Sequence, residues 1–168
     1  TLQSADDFQI LLSAAAFPAG LLVCLLGPGH YYRFMDHTSK TRTCLALMAF
    51  SLLCCIALSF FGVPTSDLQG DIIKTTLVFG VTFGIGIAYY LPLYSATIDL
   101  GGDDAAFCCA FLDGVGFVWS IAFQLIMSEL LATDAAWQAV WAMVSISNLL
   151  GILCMYKFFL VTAPAGAT

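Results

Sequence analysis

The 168-residue chain is 61% hydrophobic and only 10% charged, and its mean hydropathy is +0.95. Soluble domains carry roughly 45–50% apolar and about 25% charged residues, so this composition predicts an integral membrane protein. It excludes a soluble enzyme, a nucleic-acid-binding domain with a basic face and a disordered tail. The formal net charge is −6, from five Lys and Arg against eleven Asp and Glu, but in a membrane protein the position of the cations matters more than the total.

Five segments are long and apolar enough to cross a hydrocarbon core of about 30 Å, which needs about 20 residues. The first is preceded by acidic residues and stopped by Gly27-Pro28-Gly29, and short polar or helix-breaking segments separate the others. The sequence therefore predicts an all-α fold, a polytopic transmembrane bundle that forms one domain over residues 1–168. In chain order the predicted spans are residues 8–26, 44–61, 75–94, 105–127 and 137–159.

The connection between the first two spans, residues 30–42, is the most basic part of the chain. It carries Arg33, Lys40 and Arg42, and Lys157 lies near the end of the fifth span, on the same side of the membrane. Because cytoplasmic loops are enriched in Lys and Arg, these four cations predict an N-terminus outside and a C-terminus inside. The fifth cation lies on the opposite side.

Two histidines and seven cysteines are the residues that could bind a metal ion or a pigment. His30 and His37 lie in the basic connection, where they are interpreted as solvated interfacial residues, with axial ligation of a pigment as the alternative. The seven cysteines lie in or beside apolar runs and lack CxxC spacing, so they are interpreted as small apolar residues. No metal site is predicted, since metal binding needs more ligands at fixed spacing.

The third span contains a GxxxG pattern, Gly80 and Gly84, followed by Gly86. Small residues at this spacing let helix backbones approach closely, which drives association in lipid. Three glycines in one half of a helix also make it easier to bend, as a moving transporter would require. Packing and bending both remain open.

The fourth span carries three polar residues, Asp113, Ser120 and Gln124, spaced i, i+7 and i+11 on one helix face. This stripe is expected to face protein or water, because a carboxylate near the bilayer centre costs about 2.5–3.5 kcal/mol. It is interpreted as a proton or cation relay or a substrate contact, or else as a structural contact in which Asp113 pairs with neighbouring backbone. Gly114 and Gly116 are candidate packing or bending positions.

The fifth span has a comparable stripe that includes Ser145 and Asn148. These side chains are expected to form hydrogen bonds across helices that stabilise packing. Asn148 is also a candidate substrate or coupling residue. The sequence has no phosphate-binding loop, no Ser/His/Asp set and no paired carboxylates in a plausible cleft, so we predict that the protein is not an enzyme.

The chain resembles the carboxy-terminal half of a major facilitator superfamily transporter. Asp36, Lys40 and Arg42 resemble the acidic and basic residues of that family's cytoplasmic loop motif. Residues 91–102 and 113–117 are similar to the junction of the tenth and eleventh helices in its organophosphate and hexose-phosphate antiporter branch. The resemblance implies that the five spans correspond to helices eight to twelve, with the basic loop and the C-terminus inside.

Two functions follow as expectations. In the first, the protein is a non-catalytic subunit of a larger membrane assembly, such as a photosynthetic or respiratory supercomplex in a thylakoid or organellar inner membrane. It would contact lipids and other subunits, with chlorophyll or carotenoid as candidate pigments. In the second, it is half of an antiporter for organic phosphates or another small anion. The helices that carry the branch's phosphate-accepting residues have no counterpart among the five spans, which favours the first.

Overall fold

The computed structural model describes the backbone of residues 2–61, 68–131 and 136–162, with side chains described at residue 11 and over 14–60, 69–89, 102–129 and 137–162. These ranges contain α-helices and one 3-10 turn, Gly102–Asp104, and no strand. Five helices are long and apolar enough to cross a membrane, which confirms the predicted all-α bundle. The helices are α1 Leu2–Leu26, α2 Pro28–Tyr32, α3 His37–Phe61, α4 Leu68–Gly101, α5 Ala105–Leu131 and α6 Ala136–Val161.

The helices extend beyond the predicted spans, most clearly at α3 and α4. Helix α3 begins at His37, seven residues before the predicted start at residue 44, and α4 extends seven residues beyond each predicted end. Hydropathy locates only the part of a helix that lies in hydrocarbon, whereas the helix itself continues until it is capped. The basic connection over residues 30–42 is therefore mostly helical rather than a loop, because α2 and the first turns of α3 occupy most of it.

Asp36 caps the N-terminus of α3. Its Oδ2 accepts a hydrogen bond from the backbone N–H of Ser39 at 3.1 Å, and its Oδ1 accepts one from the Ser39 hydroxyl at 2.6 Å. Backbone N–H groups in the first turn have no partner within the helix, and Asp36 supplies one for Ser39. The second bond holds the Ser39 side chain against the same carboxylate. Lys40 and Arg42 thus lie inside α3 rather than in a loop.

We expect the cap to make the stability of the protein pH-dependent at low pH. The hydrogen bond from the Ser39 hydroxyl, followed by the one from its backbone N–H, lowers the pKa of Asp36 below its ordinary value of 3.8. The contribution of the cap is therefore complete above that ordinary value and is lost as the pH falls through the lowered pKa of the folded state. Thermal unfolding in detergent, followed by circular dichroism from pH 6 to below about pH 3, measures this loss.

The matched variant is Asp36→Asn, which keeps a side-chain oxygen for the Ser39 N–H and does not titrate. Its melting temperature should fall less than that of the wild type below about pH 3.8, while other carboxylates contribute equally to both proteins. Parallel curves for the two proteins would contradict a titrating cap at Asp36.

Helices α3 and α4 form the centre of the bundle. Helix α4 packs against α1 and α3, and α3 packs against α4 and α6. Two buried clusters fill these contacts: one near the ends of α1 and α6, and one nearer the start of α6. The first contains Cys24, Tyr32, Cys44, Met48, Ile87, Ala88 and Phe159, and the second contains Cys54, Cys55, Leu58 and Val81.

Helix α5 differs from the other long helices because little of it is covered. It contacts α4 and α6, yet no side chain from residue 102 to 129 is buried. Large apolar side chains are exposed on several sides of it, including Phe117 at 72% and Trp119 at 66%. The packed part of the chain therefore consists of α1, α3, α4 and α6, with α5 beside it.

Candidate functional site

A buried polar junction links three helices. Ser51 on α3 is fully buried and donates its hydroxyl hydrogen to the carbonyl oxygen of Val81 on α4, at 3.0 Å. The side-chain amide of Asn148 on α6 donates to the Ser51 hydroxyl oxygen at 2.9 Å. Because water is absent from hydrocarbon, such bonds are the main way for polar groups in a membrane bundle to be satisfied. We call these three groups the Ser51 junction.

The junction contains the cross-helix hydrogen bond that the sequence indicates for Asn148. Ser145, for which the same role is predicted, donates instead to the carbonyl oxygen of Trp141 in its own helix, at 2.7 Å. A hydroxyl four residues after a carbonyl in a helix reaches that carbonyl easily, so the local bond competes with any bond across helices. Sequence periodicity does not distinguish these two outcomes.

Two buried polar atoms on the same side of α6 have no hydrogen-bond partner among the described residues. They are Oδ1 of Asn148, an acceptor, and Nε1 of Trp141, a donor. Buried polar groups without protein partners are usual positions for an internal water. None of the groups in the junction is a carboxylate, an imidazole or an amine, so the junction itself is suited to helix packing rather than to proton transfer.

The glycines of α4 lie where neighbouring helices approach most closely. A Cβ atom added at Gly84 would lie 2.5 Å from the carbonyl oxygen of Leu47, and one at Gly80 would lie 2.7 Å from Sγ of Cys54, both on α3. At Gly86 it would lie 3.0 Å from Cβ of Cys24 on α1. The α4 glycines therefore let backbones and short side chains meet, and α4 is a continuous helix through them.

Gly20 on α1 also faces α4, although no GxxxG pattern includes it. A Cβ atom there would collide with the Thr82 hydroxyl and would lie 2.5 Å from the carbonyl oxygen of Phe79. The signal that identifies it is a stripe of small residues at four-residue spacing, Ala16, Gly20 and Cys24, all of which are buried.

The polar stripe of α5 is separate from the Ser51 junction. Asp113, Ser120 and Gln124 are all exposed, and no hydrogen bond or ion pair joins any of them to another described residue. Gly114 and Gly116 have no atom within 4 Å of an added Cβ position, so neither forms a close helix contact among the described residues. The candidate coupling residues on α5 and Asn148 on α6 are thus not assembled into one site within this chain.

The side of α5 away from the polar stripe forms a shallow apolar groove. Its volume is about 500 Å³, and Gly114 provides the depression between larger side chains. Its shape and apolar surface suit an acyl chain or another apolar ligand more than a charged solute. The lining residues are Phe111, Gly114, Val115, Val118, Trp119 and Ala122.

The two histidines lie near the ends of the helices. His30 is exposed, and its ring makes edge contacts with Tyr31 and Phe34. The ring of His37 packs edge-on against Phe159 with centroids 5.9 Å apart, and its Nε2 is buried without a hydrogen-bond partner among the described residues. Packing therefore covers this nitrogen, whereas the ring of His30 is open to a ligand from outside.

Among the described residues, no group of three or more His, Cys, Asp or Glu side chains is placed to hold a metal ion. The one ion pair in this part of the chain joins Lys74 to Asp71 at 3.5 Å, on the first turns of α4. No protein-family model, curated protein or solved structure matches this chain. Its function is therefore inferred from the Ser51 junction, the close-packed glycines and the polar stripe of α5.

Proposed function

We propose that this protein is a non-catalytic subunit of a larger membrane assembly, and that α5 is the helix that binds the neighbouring subunit. The observation that carries the proposal is the polar stripe Asp113, Ser120 and Gln124, which is exposed within a membrane span. Ionisable and amide side chains in spans face protein or water-filled cavities, because exposure to lipid is costly. A second helical protein that covers α5 would satisfy these groups.

The remainder of the bundle supports a structural role. Helices α1, α3, α4 and α6 pack closely at glycines, where an added Cβ atom would contact a neighbouring helix. Hydrogen bonds of Ser51 join three of these helices. A bundle with this packing is suited to keep one shape rather than to move between two, as a structural subunit would. In this assembly the N-terminus lies outside and the C-terminus inside, and a thylakoid or organellar inner membrane is the proposed location.

Apolar ligands are proposed on the other side of α5. The groove beside Gly114 suits a lipid acyl chain or a carotenoid, and His30 is the more accessible of the two histidines for a chlorophyll. Each of these ligands would be held between this protein and its neighbours in a photosynthetic or respiratory complex.

A second candidate function is that of a major facilitator-type antiporter for organic phosphates or another small anion. It is favoured by the resemblance of residues 91–102 and 113–117 to that family and by the carboxylate of Asp113 inside a span. In this case the α5 stripe would face the other half of the transporter, and Asp113 would contribute to coupling.

Site-specific crosslinking in the native membrane tests the proposal. A photoreactive side chain at Ser120 should crosslink to a separate polypeptide, and the protein should purify with that polypeptide in mild detergent. The control is the same group at Leu53 on α3, which is 65% exposed and lies on a face of apolar residues. Crosslinking of Ser120 to another segment of its own polypeptide, together with organic-phosphate uptake, would support the antiporter, and crosslinking to lipid alone would overturn both candidates.

A further inference from the structure

Asp113 lies close to the middle of its membrane span. The apolar span of α5 covers Gly102–Glu129, so its midpoint falls between residues 115 and 116. At 1.5 Å per residue, Asp113 is about 4 Å from that midpoint along the helix axis. Its carboxylate is therefore too deep to reach the headgroup region, which begins about 15 Å from the bilayer centre.

No cation of this chain is available to pair with Asp113. All five Lys and Arg residues lie in the described ranges, and the ion pair that the structure shows among them is the one between Lys74 and Asp71. The guanidinium of Arg33 lies 4.6 Å from the ring centroid of Phe34, and α5 itself contains no Lys, Arg or His. A charge partner for Asp113 must therefore come from another helix.

We infer that the subunit bound to α5 carries a Lys, Arg or His on a transmembrane helix, and that this basic side chain pairs with Asp113 near the bilayer centre. The inference rests on the proposed function and specifies the chemistry of the partner. A carboxylate inside the bilayer is stabilised by an opposite charge and by additional hydrogen bonds. A partner helix with a basic side chain would supply both the charge and the hydrogen bonds to Asp113.

The stripe also constrains the rest of the partner helix. Ser120 and Gln124 lie seven and eleven residues after Asp113, which places them about 10 and 16 Å along the same face. Hydrogen-bonding side chains at matching depths on the partner would satisfy both. A second copy of this chain does not provide this match, because its α5 presents another carboxylate and no basic residue.

The experiment compares Asp113→Asn with Asp113→Glu in the native complex. The Asn variant removes the charge, and the Glu variant keeps it on a side chain that is one methylene longer. We expect Asp113→Asn to reduce the amount of co-purified partner about 30-fold or more, as truncating one member of a buried charge pair does, and Asp113→Glu to retain most of it. The partner helix identified by crosslinking from Ser120 should contain a basic residue within one turn of the depth of Asp113.

Thermal unfolding of the separated chain in detergent controls for folding. Since Asp113 is exposed, both variants should melt within a few degrees of the wild type. Exchanging the charges, with Asp113→Lys here and Asp at the basic position of the partner, should restore the complex. Wild-type levels of partner with Asp113→Asn, or a crosslinked helix without a basic residue, would overturn the inference and leave the subunit proposal intact. Failure of the wild type to co-purify with any partner would overturn the proposal itself.

Discussion

Replacing Gly84 with Ala should destabilise the helix bundle by about 3 kcal/mol, the upper part of the range for overpacked cores. The added Cβ would lie 2.5 Å from the carbonyl oxygen of Leu47, 2.6 Å from Cβ of Ser51 and 2.9 Å from its backbone nitrogen. All three atoms belong to the backbone of α3 or are attached directly to it, so rotation of a side chain cannot relieve the contact. Helices α3 and α4 would have to separate, and the hydrogen bond from Ser51 to the Val81 carbonyl oxygen would lengthen as a result.

Gly114→Ala provides the matched control, because no atom lies within 4 Å of its added Cβ. This substitution should be neutral or stabilise α5 by up to about 1 kcal/mol through helix propensity. Unfolding titrations with a denaturing detergent in mixed micelles, followed by circular dichroism, would give both values. Equal shifts for the two variants would mean that α3 and α4 are farther apart at Gly84 than 2.5 Å from an added Cβ to the Leu47 carbonyl oxygen.

Removing the Ser51 hydroxyl should have the second-largest effect on the stability of the bundle. We expect Ser51→Ala to lower the free energy of unfolding by about 1–2 kcal/mol. The hydroxyl joins α3 to both α4 and α6, through Val81 and Asn148. Oδ1 of Asn148 already lacks a hydrogen-bond partner among the described residues, and the substitution would also remove the hydroxyl that accepts from the amide nitrogen. That desolvation cost, rather than the loss of one bond, sets the expected magnitude.

A double-mutant cycle separates these contributions. The pair Ser51→Ala and Asn148→Leu should cost clearly less than the sum of the two single variants, since removing both partners leaves no stranded polar group. Ser128→Ala is the control, because Ser128 is exposed and donates only to the carbonyl of Leu125 in its own helix. Strict additivity of the pair would indicate that Ser51 and Asn148 do not interact in the membrane.

The lengths of the apolar segments are sufficient to predict five spans, because the thickness of the hydrocarbon core sets a minimum length that apolar segments of soluble proteins rarely reach. It was insufficient for helix ends, which depend on individual hydrogen bonds such as those from Ser39 to Asp36. The stripe of the fifth span predicts a cross-helix hydrogen bond for Asn148. Its acceptor, Ser51, lies 97 residues away, and local patterns carry no information about which distant residue it meets.

The α5 stripe shows a different limit of sequence reasoning. Helical spacing places Asp113, Ser120 and Gln124 on one face, and transfer energies indicate that this face avoids lipid. Helical spacing and transfer energy do not specify which group covers this face, because that group need not belong to the same chain. In the structure no described residue covers the stripe. The candidate coupling residues on α5 and Asn148 on α6 therefore lie at separate places in the fold.

The distribution of thiols gives this protein an internal reporter of helix separation. Cys24, Cys44 and Cys55 have no accessible surface, whereas Cys154 on α6 is exposed. A membrane-permeant alkylating reagent would therefore modify Cys154 while the chain is folded, and would reach the other three only when α1 or α3 separates from the helices packed against it. The rate at which those three thiols are modified measures the opening of the bundle in the native sequence, without any introduced label.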